Sequence, residues 1–188
     1  MSSVLWVLII QGGLGAFDTL YFHEYRAHLP RLPATRKELT LHAIRDFIYT
    51  TIFLTLPRFA WAGWWAAAFV LLLGLEIVIT MYDFVIEETT RKDIGGVYPA
   101  ERVTHAVMGI VYGIFLAQLF PIIRAWFGAP TALTLTPVHA PLAARSILTL
   151  MGLGVLASGV RDLAAALSFP DPIPAEENDS SSRFARSE

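Results

Sequence analysis

Five long apolar stretches constrain this chain more than any other feature of its sequence. They cover residues 4–23, 40–57, 60–86, 103–126 and 143–168. A helix needs about 20 apolar residues to cross a bilayer, and prolines fall at or near the ends of several stretches. Hydrophobic residues make up 55% of the chain, against about 45–50% in soluble domains. The sequence therefore predicts an all-α integral membrane protein with five transmembrane helices and no β-strand.

Composition and motifs exclude several classes of function. The chain has no cysteine, which excludes disulfides, thiolate metal sites and iron–sulfur clusters. Its net charge is −2 and it contains no long basic run, so no nucleic-acid partner is expected. The absence of a glycine-rich phosphate loop at a strand–helix junction also argues against a nucleotide cofactor.

The positions of the cations predict the orientation, because lysine and arginine concentrate in cytoplasmic connections. Only Arg58, Arg124 and Arg145, of 14 such residues, lie on one side of the predicted membrane. We therefore expect a multi-pass protein of the cell inner (plasma) membrane, with its N-terminus outside and its C-terminus cytoplasmic. Residues 1–168 would form the membrane domain, and the polar, Pro/Ser-rich residues 169–188 would form a disordered cytoplasmic tail.

The second and fourth stretches are similar to each other at an offset of 63 positions, as ELTLHAIRDFIY and ERVTHAVMGIVY. The aligned polar pairs are Glu38 and Glu101, His42 and His105, Tyr49 and Tyr112, and, further upstream, Glu24 and Glu87. This repetition predicts two duplicated hairpins, residues 4–57 and 60–126, that form a four-helix bundle. Residues 143–168 would then form an extra helix.

Each half carries a Glu-x-x-x-His sequence, which places both side chains on one helical face. Charged groups inside a bilayer are costly, and Arg45 is the one cation near these residues in the second stretch. A metal ion would neutralise several carboxylates at once, and neutral imidazoles would complete its coordination. We therefore expect a metal site at the cytoplasmic membrane interface. Its predicted ligands are Glu24, Glu38, His42, Glu87, Glu101 and His105.

Other polar residues on the same faces have supporting roles in this interpretation. The residues expected to orient the ligands are Asp46, Asp83 and Glu76. Tyr49 and Tyr112 are the predicted catalytic residues, as hydrogen-bond donors or redox relays. Glu24 lies where its helix is expected to end. The alternatives to it are Asp18, His23 and His28.

The pattern is similar to that of the di-iron carboxylate bundles, in which two helices each contribute a Glu and two contribute Glu-x-x-His. The similarity covers residues 24–105, and the spacing here is one residue longer. It implies two iron ions and an oxidoreductase that acts on a lipid-soluble substrate such as a membrane lipid or a quinone.

Three other interpretations are open. His42 and His105 could ligate haem b in an electron-transfer protein, although a haem pocket does not need four carboxylates. The carboxylates of the third stretch could serve a cation or proton transporter. An assembly subunit without chemistry would leave the repeated polar residues unexplained. In the fifth stretch, Gly154 and Ser158 have the spacing of closely packed helices, so this helix is expected to pack or to mediate a homo-oligomer.

Overall fold

The computed structural model describes residues 1–135 and 140–169, and about 83% of these residues are helical. The long helices are α1 (Ser2–Phe17), α2 (Arg36–Thr55), α3 (Trp64–Thr90), α4 (Pro99–Phe127) and α5 (Leu142–Ser168). Each predicted stretch overlaps one of them, so the predicted helical architecture is confirmed. Residues 170–188 of the predicted tail lie outside the described residues.

Within the described residues, four helical segments are long and apolar enough to cross a membrane, as expected for a membrane protein. They are Ser2–Arg26, Trp64–Thr90, Pro99–Phe127 and Leu142–Ser168. The second predicted stretch, which corresponds to α2, is not among them, because the first half of this helix is strongly polar. Glu38 and His42 of α2 are buried in spite of their polarity, since this helix packs against α3 and α5.

The five helices close into a ring in which α2 packs on α3, α3 on α4, α4 on α1, α1 on α5, and α5 on α2. The most extensive of these contacts joins α2 and α5. Gly152 and Gly159 allow this close approach, because a Cβ on either residue would lie within 3 Å of an α2 side chain. The fifth helix is therefore a full member of the bundle, whereas the sequence placed it outside a bundle of four.

α1 continues directly into a π-helix, Asp18–Arg26. Its i→i+5 hydrogen bonds make a wider turn than those of an α-helix, and such segments occur frequently at functional sites. Residues five apart in an α-helix point about 140° away from each other. The wider π turn reduces that angle, and both Asp18 and His23 consequently lie on the buried face.

A short antiparallel sheet lies at the other end of the bundle. It pairs β1 (Phe59–Ala62) with β2 (Ala132–Leu135), and Phe59 lies opposite Leu135. The expectation that the chain has no strand was therefore wrong, because segments of four residues show no usable periodicity. Gly63 follows β1 with a φ of 61°, and Thr131 occupies the space that a Cβ on Gly63 would need.

The interior of the bundle is divided along its length. Near the sheet, the core is apolar and includes Leu5, Leu8, Phe53, Phe69 and Phe115. At the opposite end, which we call the polar end, the π-helix, the start of α2, the end of α3 and the start of α4 bury polar side chains instead. The polar end is where the sequence predicted a metal site.

Candidate metal centre

Four side chains form a compact group at the polar end: Asp18, His23, Glu101 and His105. Each offers one ligand atom, and these atoms all lie within 4.8 Å of one another. The first two belong to the π-helix, and the other two lie in the first turns of α4. Asp18, His23 and Glu101 are buried, and His105 is partly buried. We call these residues the four-ligand group.

The spacing within the four-ligand group suits coordination of one ion. Asp18 Oδ2 lies 3.4 Å from His23 Nε2 and 3.2 Å from His105 Nε2. Glu101 Oε1 lies 3.2 Å from His23 Nε2. Atoms bound to a tetrahedral metal ion at about 2.0–2.1 Å are about 3.4 Å from one another. His23 Nε2 is also buried and faces both carboxylates without the alignment of a hydrogen bond, which suits a nitrogen directed at a common point between them.

Two further contacts hold the His105 ring in place. Its Nδ1 lies 3.8 Å from Glu87 Oε1, and its ring stacks on Phe84 with 4.9 Å between centroids. Histidines that bind metals commonly have a carboxylate on their other nitrogen, which fixes the tautomer and the ring orientation. Glu87, predicted as a ligand, therefore lies beside the His105 nitrogen that does not contact Asp18.

A second polar group, centred on His42, lies beside the four-ligand group. His42 Nε2 is 3.1 Å from Asp83 Oδ2 and 3.9 Å from Glu38 Oε1. Asp83 Oδ2 also accepts a hydrogen bond from Arg45 Nη1 at 3.2 Å. The His42 ring stacks on that of His23, so the two groups are in direct contact.

Arg91 is a buried residue of the polar end that the sequence did not indicate. Its fully buried guanidinium donates from Nε to Glu38 Oε1 at 2.8 Å and from Nη1 to Glu101 Oε1 at 2.6 Å. Burial alone would lower its pKa, but these bonds to carboxylates raise the pKa of Arg91 above its ordinary value. In the sequence it is one of the eleven cations on the side expected to be cytoplasmic. Its position one turn after Glu87 was the available signal, because residues four apart share a helical face.

More acidic than basic side chains are buried at the polar end. Five buried carboxylates meet there: Asp18, Glu38, Asp83, Glu87 and Glu101. Arg45 and Arg91 neutralise part of this charge. Buried charges without a partner are costly in a protein interior and in a membrane. A bound cation or protonated imidazoles would supply the rest.

Glu24 is not part of the four-ligand group. It lies on the outer side of the π-helix, where its partly exposed carboxylate pairs with Arg161 of α5. Two of the residues named as its alternatives, Asp18 and His23, occupy the site instead. The third, His28, lies beyond the π-helix with a left-handed backbone (φ 53°).

The predicted catalytic tyrosines lie deeper in the bundle. Tyr49 Oη donates to Glu76 Oε1 at 3.1 Å, and Thr80 donates to the same oxygen at 2.9 Å. The rings of Tyr49 and Tyr112 meet edge to face, 6.5 Å apart. Asp46 lines a cavity between α1, α2 and α5. None of these contacts of Tyr49, Tyr112, Glu76 and Asp46 involves a member of the four-ligand group.

The two histidines predicted as alternative haem ligands are less suited to haem than to a metal ion. His42 Nε2 lies 3.1 Å from Asp83 Oδ2, and His105 Nε2 lies 3.2 Å from Asp18 Oδ2. Axial ligands of a haem would instead direct these atoms into a shared apolar slot. No protein-family model, curated protein or solved structure matches this chain.

Proposed function

We propose that this chain is a membrane metalloprotein whose four-ligand group binds one transition-metal ion, with iron favoured. We further propose that it acts as an oxidoreductase on a lipid-soluble substrate. The observation that carries the proposal is the convergence of the four ligand atoms within 4.8 Å. Two imidazoles and two carboxylates without a thiolate suit iron, manganese or zinc. Iron in such a setting would supply one-electron chemistry.

The residues around the group would hold the ligands in place. Glu87 orients the His105 ring, and Arg91 fixes Glu101 through a hydrogen bond at 2.6 Å. Such surrounding contacts set ring orientation and metal affinity. The apolar helices around the polar end favour a substrate that dissolves in the membrane.

A second ion, as the sequence predicts, would have to compete with Arg91. In the similar di-iron bundles, glutamates from different helices share the two ions. Here Glu38 and Glu101 share the Arg91 guanidinium instead. A fixed positive charge between these carboxylates disfavours a metal ion at the same place. We therefore propose one ion and expect two only if Arg91 moves.

The pairing of histidines and aspartates supports the predicted duplication. His42 of α2 contacts Asp83 of α3, and His105 of α4 contacts Asp18, which follows α1. Exchanging the two hairpins would exchange these pairs. The histidines are 63 positions apart and the aspartates 65. The π-helix that begins at Asp18 takes up about two extra residues in its wider turns.

Metal analysis of the protein purified in lipid nanodiscs tests the proposal. We expect about one equivalent of iron, manganese or zinc and no Soret band. His23→Ala and His105→Ala should each lose most of the metal, because each removes one of four ligands. His28→Ala is the matched control, since this residue lies outside the group, and it should retain the metal. No retained metal in the wild type, equal metal in all three variants, or a Soret band would contradict the proposal.

One observation favours a second candidate function, proton transfer. Glu76, Asp83 and Glu87 are all buried in α3 at spacings that place them on one helical face. Buried carboxylates in series mark proton paths in membrane proteins. Proton flux into proteoliposomes that persists without metal and is lost in Glu76→Gln would favour this candidate over the metalloprotein.

A further inference from the structure

A cavity of about 460 Å³ lies between α1, α2 and α5. Small residues on the two outer helices leave room for it, among them Gly12 and Gly15 of α1 and Gly154 of α5. Leu20 lines its rim and is 61% exposed, so the cavity opens on the apolar outer surface of the bundle. Pockets for small molecules have volumes of about 300–1,000 Å³ and mostly apolar walls.

The cavity contains a buried acceptor that needs a donor. Gln11 is 4% exposed and lines the cavity, and its side-chain oxygen has no hydrogen-bond partner. Buried polar atoms are nearly always paired, so an unpaired oxygen on a residue of the cavity wall points to a ligand with a hydroxyl or amine donor. Arg45 lies in the same wall, and its guanidinium, which gives one N–H to Asp83, has further donors for a ligand oxygen.

The apolar lining suits a flat aromatic head. Phe53 and Tyr49 contribute rings, and Met108 and Met151 contribute thioethers. Aromatic rings favour contacts with other rings, and methionine sulfur packs favourably on ring edges. A simple alkyl head would use neither preference.

The charged side chains that line the cavity favour a neutral head. Two of them are cationic, Arg45 and Arg161, and two are acidic, Glu24 and Asp46. Arg161 pairs with Glu24, and Arg45 donates to Asp83. Because both cations already have acidic partners, a neutral head needs no further counter-charge, whereas an anionic head would have to compete with those carboxylates.

We propose that this cavity binds a hydroquinone with an apolar tail, of the membrane quinol class. One hydroxyl donates to the Gln11 side-chain oxygen, and the tail leaves between α1 and α5. The identification of this ligand as the lipid-soluble substrate rests on the proposed function, whereas its binding needs no metal. Arg45 joins the cavity wall to Asp83 and hence to the His42 group, so the bound head would lie close to the proposed metal centre.

Isothermal titration of the full chain with a decyl-substituted benzohydroquinone tests this site. The protein is held in quinone-free phosphatidylcholine nanodiscs and measured both metal-loaded and after chelation. We expect the same Kd in both forms. Gln11→Leu and Gly154→Leu should each raise the Kd about tenfold, a change equivalent to one lost hydrogen bond or a filled pocket. Gly13→Leu is the matched control, because a Cβ there also meets open space but this residue does not line the cavity, and its Kd should not change.

Thermal melting of each variant confirms that it is folded, and Gln11→Leu should fold because it removes an unpaired polar atom. The proposal is overturned if the hydroquinone does not bind, if folded Gly154→Leu binds as the wild type does, or if decanol or decanoate competes equally well. Binding by the metal-loaded form alone would also overturn it. A chain that retains no metal but binds the hydroquinone would contradict the proposed function and leave the cavity site supported.

Discussion

The imidazole rings of His23 and His42 are stacked nearly parallel, with 4.7 Å between their centroids and 9° between their planes. This contact joins the π-helix to α2 and holds the His23 ring against the four-ligand group. It places His42 directly behind a member of that group.

We predict that the His42 ring matters for metal binding chiefly through its shape. His42→Phe should retain the stack on His23 and weaken metal affinity by at most about tenfold, whereas His42→Ala should weaken it further, because supporting contacts contribute about 10- to 100-fold. Competition with a chromogenic chelator measures both affinities. Complete loss of metal in His42→Phe would instead identify His42 as a ligand.

Glu87 provides a second test, because it lies next to Glu88 but faces the opposite way. Glu87 is buried near His105 Nδ1, and Glu88 is 58% exposed and pairs with Arg102. Glu87→Gln should lower metal affinity about 10- to 100-fold by loosening the His105 ring. Glu88→Gln should leave the affinity unchanged, and equal effects of the two substitutions would argue against this role for Glu87.

The proximity of Glu101 and His105 could be predicted from the sequence for a physical reason. Glu101 and His105 lie four apart in a regular α-helix, where side-chain direction follows from spacing alone. Asp18 and His23 are five apart, so α-helical periodicity separates them. The π-helix brings them together, and no residue in its sequence marks that change of geometry.

Arg91 shows a different limit of sequence reasoning. A cation in a short connection is normally solvated, and only the packing of α2, α3 and α4 places Glu38 and Glu101 on either side of it. The position of α5 is a similar case. Its small residues predict close packing, but only the folded bundle shows that the partner is α2.

Arg91 should be the most important single residue for stability at the polar end. Arg91→Gln leaves Glu38 and Glu101 buried without their shared guanidinium, and breaking a buried pair in this way costs about 3–5 kcal/mol. Unfolding in mixed detergent and SDS measures the free energy. Arg102→Gln removes an exposed pair and should have little effect, since such pairs contribute little. A similar loss in both variants would contradict the account of Arg91.

Tyr49 should not affect metal content. Its hydroxyl donates to Glu76, and Tyr49→Phe keeps the ring packed against Phe53 and Tyr112. We therefore expect the wild-type metal stoichiometry in this variant by elemental analysis. A marked drop in metal content would show that the Tyr49 and Glu76 pair communicates with the four-ligand group, contrary to the geometry.

Iron K-edge X-ray absorption of the iron-loaded chain in nanodiscs would identify the atoms bound to the proposed ion. We expect one iron with two imidazole nitrogens and carboxylate oxygens at about 2.0–2.2 Å. We expect no neighbouring iron at about 3.5–4 Å, the separation found in two-metal sites. A spectrum without imidazole scattering, or one with the four nitrogens of a porphyrin, would contradict a metal centre built from Asp18, His23, Glu101 and His105.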